Sequence, residues 1–233
     1  MNKPLSSFIL TTFNEELYIE PSLRSIANQT YENKEIIVVD AESKDKTVEI
    51  AKKYANKILV KKCDMPNGRN EGAKLAEGEI FCFIDADIIL LNDWLYTLLM
   101  PLENPSIVAA YHNLLPKETN YKARLAYQSA DLVHETLRAL NKYIMKATAL
   151  ALKRSIFEKI GGYTTKFAHC EDTDILLKLS KEGKIKFLKT TGGYFSTRRL
   201  EKYGYSKTFL FWSIETFNYL FLKKLPSKVY PRV

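Results

Sequence analysis

The feature that most constrains this chain is an apolar run that ends in two closely spaced acids. Residues 80–84, Ile-Phe-Cys-Phe-Ile, are followed directly by Asp85-Ala86-Asp87. Five consecutive apolar residues of this kind are typical of a strand that is buried on both faces. Two carboxylates at the end of such a strand are costly unless a cation meets them, and ligands bind at the carboxyl edge of open α/β sheets. The pattern therefore predicts a strand that delivers Asp85 and Asp87 to a divalent metal carrying a diphosphate.

The first hundred residues alternate predicted strands with predicted helices. Strands are expected at residues 7–11, 35–39, 58–60 and 80–84, and helices at residues 15–28, after a cap at Ser43 or Asp45, and at residues 68–76 before Gly78. The first helix places Ile19, Leu23, Ile26 and Ala27 on one face at helical spacing. Such alternation predicts parallel strands joined by right-handed crossovers.

The second half of the chain is less regular. It has predicted strands at residues 107–111, 148–152 and 185–188, predicted helices at residues 121–140, 154–160 and 172–181, and a predicted turn at Gly192-Gly193. We therefore expect one α/β domain built on a single mixed sheet. Its nucleotide-binding half would span about residues 1–100 and its acceptor-binding half about residues 101–200, with an aromatic and basic tail at 201–233.

The charge of the chain favours anionic partners but not nucleic acid. The formal net charge is +8, and the lysines are dispersed. No stripe interleaves aromatic residues with arginines as a nucleic-acid groove would, so no nucleic-acid partner is expected. No secretory signal opens the sequence, and no apolar run reaches the roughly 18 residues that span a bilayer. A cytoplasmic protein is the expectation.

Three more polar segments fall at predicted strand ends or helix starts. Asn14-Glu15 follows the first strand, where backbone amides favour an anion, although Asn14 could simply cap the helix. Asp40 ends the second strand and could accept hydrogen bonds from a nucleoside or could order the following turn. Arg69, which follows Gly68, could bind a phosphate or could lie on the surface.

A fourth acidic segment, Glu171-Asp172, begins a predicted helix. Acids are favoured in a first helical turn by the helix dipole alone. A carboxylate within hydrogen-bond reach of an acceptor hydroxyl would also suit a general base. The residues by themselves leave both readings open.

In order and spacing, these motifs resemble glycosyltransferase family 2. The resemblance covers about residues 5–190 and is carried by Thr11-Thr12-Phe13-Asn14-Glu15, residues 35–40, Gly68-Arg69-Asn70-Glu71-Gly72, Asp85-Ala86-Asp87 and Glu171-Asp172. It implies a GT-A fold, which is a Rossmann-like, mixed, mostly parallel sheet flanked by helices. It also implies an inverting transferase that uses a UDP- or GDP-linked sugar donor together with Mg²⁺ or Mn²⁺.

The resemblance implies roles for individual residues as well. The donor contacts would be Thr11, Phe13, Asn14, Glu15, Asp40, Gly68, Arg69 and Asp85. Asp87 would bind the metal directly with Asp85 beside it, and Asp172 would be the catalytic base. Glu171 and His169 could contact the acceptor, although a lone histidine is more often structural. Arg198 and Arg199 could neutralise the leaving diphosphate or could equally form salt bridges on the surface.

Two other functions match part of the pattern. A nucleotidyltransferase would normally carry a glycine-rich phosphate loop after its first strand, and residues 11–14 contain no glycine. A non-catalytic nucleotide-sugar-binding protein would not need both acidic motifs. The favoured reading is a glycosyltransferase acting on a saccharide or a lipid-linked acceptor.

The tail has a composition of its own. Aromatic side chains crowd residues 208–222, and lysines lie on both sides of this stretch. This combination predicts contact with an anionic membrane surface, which would make the protein peripheral on the inner face of the membrane. The polar residues of the stretch form no single helical face, so burial against the domain or in a dimer stays open.

Overall fold

A computed structural model describes residues 3–117, 127, 131–138, 144, 148–166 and 170–222. Within these ranges the strands are β1 Ser6–Thr12, β2 Lys34–Asp40, β3 Lys57–Val60, β4 Ile80–Asp85, β5 Ile88–Leu90, β6 Ile107–Pro116, β7 Ala149–Lys153 and β8 Lys184–Phe195. The helices are α1 Ile19–Ala27, α2 Thr47–Ala51, α3 Met65–Leu75, α4 Trp94–Leu102, α5 Arg154–Lys159, α6 Glu171–Glu182, α7 Arg198–Tyr203 and α8 Tyr205–Leu222. Residues 127 and 131–138 are also helical.

The described strands form one sheet in the order β3-β2-β1-β4-β7-β6-β8-β5. The four strands from β3 to β4 are mutually parallel, and β7 runs antiparallel to both of its neighbours, β4 and β6. Strand β8 is parallel to β6, and the short β5 is antiparallel to β8. The predicted mixed, mostly parallel sheet is confirmed.

The sheet is covered on both faces, because alternate side chains of each strand point to opposite sides. On one side Phe8 and Leu10 of β1 pack with apolar residues of α1 and α4. On the other side Ile9 packs in a cluster that includes residues of α3 and α6. The predicted double burial of residues 80–84 is confirmed, since all five are buried. Helices α3 and α6, which carry Arg69 and Asp172, therefore lie over the same face.

Several sequence expectations need correction. Helix α1 begins at Ile19 rather than at residue 15, because residues 13–18 form turns, and Ala27 is exposed rather than in the core. Gly192-Gly193 is not a turn but lies within β8, where Gly193 pairs with Leu90 and Leu114. A Cβ atom at Gly192 would collide with the His112 side chain, which explains the glycine. Apart from residues 127 and 131–138, the predicted helix at 121–140 falls outside the described residues.

Candidate active site

The carboxyl ends of β1, β2 and β4 meet at one edge of the sheet. In the strand register, Thr12 lies beside Asp40 and Thr11 beside Asp85. The parallel order therefore brings together three motifs that are far apart in the sequence. This is the edge at which open α/β sheets bind ligands.

The loop after β1 is joined to the loop after β2 by hydrogen bonds. The Asn14 backbone N–H donates to Ser43 Oγ at 2.8 Å, and the Lys44 N–H donates to Asn14 Oδ1 at 2.9 Å. The Glu15 N–H donates to Thr47 Oγ1 at 2.7 Å. Asn14 has a φ of 54°, a left-handed conformation that asparagine tolerates better than most residues. Asn14 therefore fastens two loops together and does not cap α1.

Asp40 is fully buried and orders the turn that follows β2. Its Oδ1 accepts the Ser43 N–H at 2.7 Å, and its Oδ2 accepts the hydroxyls of Thr12 at 2.9 Å and Ser43 at 2.6 Å. These hydrogen bonds match the alternative in which Asp40 orders the turn after β2. Contact between Asp40 and a nucleoside base stays a prediction.

Helix α3 approaches β1 closely at Gly68. A Cβ atom at this position would collide with the Thr11 side chain, so only glycine allows the helix to lie this close to the strand. The Thr11 hydroxyl is itself buried and has no hydrogen-bond partner among the described residues. Gly68 thus has a packing role that is independent of its predicted contact with the donor.

Arg69 is the electrostatic centre of the site. Its side chain is only 2% exposed, and its Nη2 donates to Asp85 Oδ1 at 2.8 Å while its Nη1 donates to Asp172 Oδ1 at 2.9 Å. Glu171 Oε1 lies 3.6 Å from Nη1. One guanidinium thus joins the first acid of the Asp85-Ala86-Asp87 motif to the predicted base, and it is not the surface arginine that the sequence left open.

Two residues that the sequence did not single out complete this arrangement. Thr148, directly before β7, accepts from Arg69 Nη2 at 2.8 Å through its hydroxyl and donates its backbone N–H to Asp85 Oδ2 at 3.0 Å. The ring of Tyr163 lies 5.0 Å from the Arg69 guanidinium carbon. Asn70 fixes this ring, because its side-chain amide exchanges two 2.9 Å hydrogen bonds with the Tyr163 backbone.

Burial sets the proton affinity of the paired acids at the start of α6. It raises the pKa of Glu171 to about 8, and the neighbouring Asp172 adds to this rise. It also raises the pKa of Asp172, although the Arg69 guanidinium opposes the effect. A carboxylate whose pKa is raised is a stronger base than an exposed one.

We expect Glu171→Gln to flatten the pH dependence of stability. The pKa of Glu171 is about 8 in the folded protein against an ordinary 4.5, so within this window the folded state holds a proton that the unfolded state has lost. The free energy of unfolding therefore falls as pH rises from 4.5 to about 8, by on the order of a few kcal/mol. Urea unfolding at a series of pH values measures this fall, which the neutral amide removes.

Glu49→Gln on α2, where the side chain is exposed, is the matched control and should leave the pH profile unchanged. Parallel profiles for the wild type and Glu171→Gln would contradict the raised pKa.

A second arginine lies beside the other acid of the motif. Arg198 Nη2 is 2.5 Å from Glu15 Oε1 and 3.3 Å from Asp87 Oδ2. Its guanidinium also stacks on the Tyr18 ring at 4.0 Å. The start of α7 is thereby held against the loop after β1 and beside Asp87.

Comparison with known proteins identifies the family. Residues 7–168 match the model for glycosyl transferase family 2. The chain belongs to glycosyltransferase family 2. An uncharacterized glycosyltransferase of Haemophilus influenzae is 30% identical over 184 residues, which are 76% of this chain and 62% of that protein. The chain therefore matches less than two thirds of the length of this relative.

Solved structures of GT-A glycosyltransferases share the fold. The mannosyltransferase PcManGT from Pyrobaculum calidifontis, in complex with GDP-Man and Mn²⁺, superposes with a TM-score of 0.73 at 21% identity, covering 97% of this chain and 67% of that one. Glucosyl-3-phosphoglycerate synthase from Mycobacterium tuberculosis, in complex with Mn²⁺, UDP and glucosyl-3-phosphoglycerate, gives a TM-score of 0.64 at 19% identity. That match covers 91% of this chain and 80% of the synthase. The predicted GT-A fold is confirmed.

Membership of family 2 implies a metal site at the Asp85-Ala86-Asp87 motif. Within the described ranges, no group of three or more His, Cys, Asp or Glu side chains is placed to hold a metal ion. Mg²⁺ is usually bound by one or two carboxylates together with substrate phosphates rather than by an all-protein cage. In that mode Asp87 and Asp85 would supply the oxygen ligands. The family 2 site therefore fits a metal that is completed by the donor diphosphate.

The remaining predicted site residues are less closely tied to this cluster. Phe13 is exposed after β1. Arg199 lies on α7 beside Arg198, but only its backbone is described. His169 lies outside the described residues. Their contacts with donor, acceptor or leaving group stay predictions.

Proposed function

We propose that this family 2 chain is an inverting glycosyltransferase that moves a sugar from a nucleoside-diphosphate donor to an acceptor hydroxyl. The observation that carries the proposal is the Arg69 bridge. Arg69 joins Asp172, on α6, to Asp85 at the carboxyl edge of the sheet, which supports a base and a donor site within one cleft. A transferase needs both groups within one site, because the acceptor oxygen must reach the sugar while the diphosphate departs.

In this mechanism Asp172 takes the proton of the acceptor hydroxyl as the oxygen attacks the anomeric carbon. The diphosphate leaves from the opposite face, so one displacement inverts the configuration and needs no covalent intermediate. Arg69 orients the Asp172 carboxylate through Oδ1, and Glu171 lies beside it to contact the acceptor. The side chain of Asp172 is 23% exposed, which leaves it open to an acceptor.

The departing diphosphate carries the charge that must be stabilised. Asp87 and Asp85 would hold Mg²⁺ or Mn²⁺, which neutralises that charge when bound. Arg198 supplies a second cation from the protein, since its guanidinium lies 3.3 Å from Asp87 Oδ2. Donor contacts are proposed for the loop after β1, for Asp40 and for Gly68.

The similar structures support a nucleotide-sugar donor without choosing its base. The mannosyltransferase is bound to GDP-Man and the synthase to UDP, each with Mn²⁺. We therefore propose a UDP- or GDP-linked donor and a saccharide or lipid-linked acceptor. A cytoplasmic location stays a prediction of the sequence.

Calorimetric titration of UDP and GDP, each with and without Mn²⁺, tests the donor site. We expect one nucleotide to bind at least tenfold more tightly when Mn²⁺ is present, because the metal links Asp87 to the diphosphate. Asp87→Ala should abolish this gain by removing the metal ligand. Asp93→Ala, which removes an exposed acid before α4, should keep it.

If neither UDP nor GDP bound the folded protein, the proposal would be contradicted. Tight binding without transfer to any acceptor, and without hydrolysis of the donor, would instead support a non-catalytic nucleotide-sugar-binding protein.

A further inference from the structure

The outward side of α8 carries an apolar stripe. Leu210, Ile214, Phe217 and Phe221 recur at intervals of four, three and four residues, and each is between 47% and 60% exposed. The rings of Phe217 and Phe221 stack with their centroids 5.0 Å apart. Side chains at this spacing lie on one face of a helix, so they form a continuous surface and not scattered exposed residues.

The inward side of α8 is attached to the catalytic region. Tyr219 Oη donates to Asp174 Oδ1 at 2.5 Å, two residues beyond Asp172 on α6. Thr208 and Leu220 are buried on the same side. Glu215 and Thr216 are two of the scattered polar residues of this helix. Both are half-buried, and neither lies on the apolar stripe. The inner contacts set the rotation of α8 and direct the stripe away from the sheet.

Positive charge accompanies the stripe at both ends of the helix. Lys202 on α7 and Lys207 on the first turns of α8 are exposed. In the sequence, Lys223 and Lys224 follow directly after the last helical residue. One exposed acid, Glu201, lies near the first end. Lysines that border exposed aromatic residues are suited to a surface that is apolar within and anionic at its boundary.

The area of the stripe favours a membrane surface over a second copy of this chain as its binding partner. The four side chains of the stripe offer roughly 400 Å² of apolar surface, taking about 200 Å² for a fully exposed large side chain. This is as large as the largest apolar patch of a typical monomer, whereas a stable dimer buries about 800 Å² on each partner. A bilayer sets no such lower limit, because each inserted side chain adds to binding.

We propose that α8 docks this protein on an anionic membrane surface, with Leu210, Ile214, Phe217 and Phe221 inserted at the boundary between headgroups and acyl chains. None of the described helices is long and apolar enough to cross a membrane. The docking goes beyond the proposed sugar transfer and does not depend on it. Its geometry would hold α6, and with it Asp172, close to the membrane surface.

Co-sedimentation with vesicles tests the docking directly. The wild type should sediment with vesicles of equal parts phosphatidylcholine and phosphatidylglycerol and much less with phosphatidylcholine alone. Phe217→Ser with Phe221→Ser should weaken binding at least tenfold, because two buried aromatic side chains are lost. Lys207→Gln should weaken it about fivefold, and only at low salt.

The matched control is Tyr96→Ser with Met100→Ser, an exposed pair at the same spacing on α4. It should bind vesicles as the wild type does, and thermal melts should show that all variants are folded. If the phenylalanine variant does not fold, the proposal is tested by Lys207→Gln and by the binding of the wild type measured at increasing salt concentration.

Wild-type protein that stays in the supernatant with anionic vesicles would overturn the proposal. A dimer in analytical ultracentrifugation that the phenylalanine pair variant breaks would then identify a second copy of this chain as the occupant of the stripe. Nucleotide calorimetry is independent of both, so failure of the transferase proposal is distinguishable from failure of the docking.

Discussion

Asp172→Asn should lower kcat for sugar transfer by about 10²–10⁴-fold, the usual contribution of a general base. The amide cannot accept the acceptor proton, but its oxygen can still receive the hydrogen bond from Arg69 Nη1. Donor affinity should therefore change little. The measurements are the rate of nucleoside-diphosphate release with saturating acceptor and the affinity for the donor by calorimetry.

Glu182→Gln, at the other end of α6, is the matched control and should keep its activity. An Asp172→Asn enzyme that transfers sugar at the wild-type rate would remove the base assignment, and Glu171 would then be the next residue to replace.

Arg69→Met should destabilise the protein by about 3–5 kcal/mol, the usual effect of removing one partner from a buried ion pair. Asp85 and Asp172 both face this guanidinium, and its loss leaves their charges uncompensated. The loss should grow with pH, because protonation can relieve the remaining carboxylates only at low pH. Urea unfolding at several pH values measures both effects, and turnover should fall because Asp172 is no longer oriented.

Arg69→Lys separates charge from shape. Lysine keeps the positive charge but cannot reproduce a planar fork that binds Asp85 and Asp172 together. We expect intermediate stability and low turnover. Arg24→Met, on the exposed side of α1, should change neither property. If Arg69→Met cost no more stability than Arg24→Met, the central role of this guanidinium would be wrong.

The sequence alone was sufficient for features that depend on local pattern. The run at residues 80–84 predicted a doubly buried strand because only such a strand is apolar at every position, and the structure confirms it. The alternation of elements predicted the parallel half of the sheet, and the order of the motifs predicted the family.

What the sequence could not supply is the set of contacts between distant segments. Thr148 lies next to Asp85 only because β7 pairs antiparallel with β4, and no local sequence pattern predicts that pairing. Arg69 appeared as a donor ligand or a surface residue, since helical periodicity does not show which carboxylates a side chain will meet. Arg198 reaches Glu15 from 183 residues away in the same manner.

The same division applies to α8. Its composition predicted an unusual aromatic segment and left three possibilities open, namely contact with a membrane, burial against the domain and burial in a dimer. Apolar residues lie on both faces of the helix, so hydrophobic periodicity does not show which face is buried. Only the packing of Tyr219 against Asp174 decided which face turns inward and which is left exposed. Local sequence determines which elements form and which residues end the strands, since those depend on neighbours along the chain. The order of the strands and the docking of the helices decide which charges meet, because those contacts arise only when distant segments pack together.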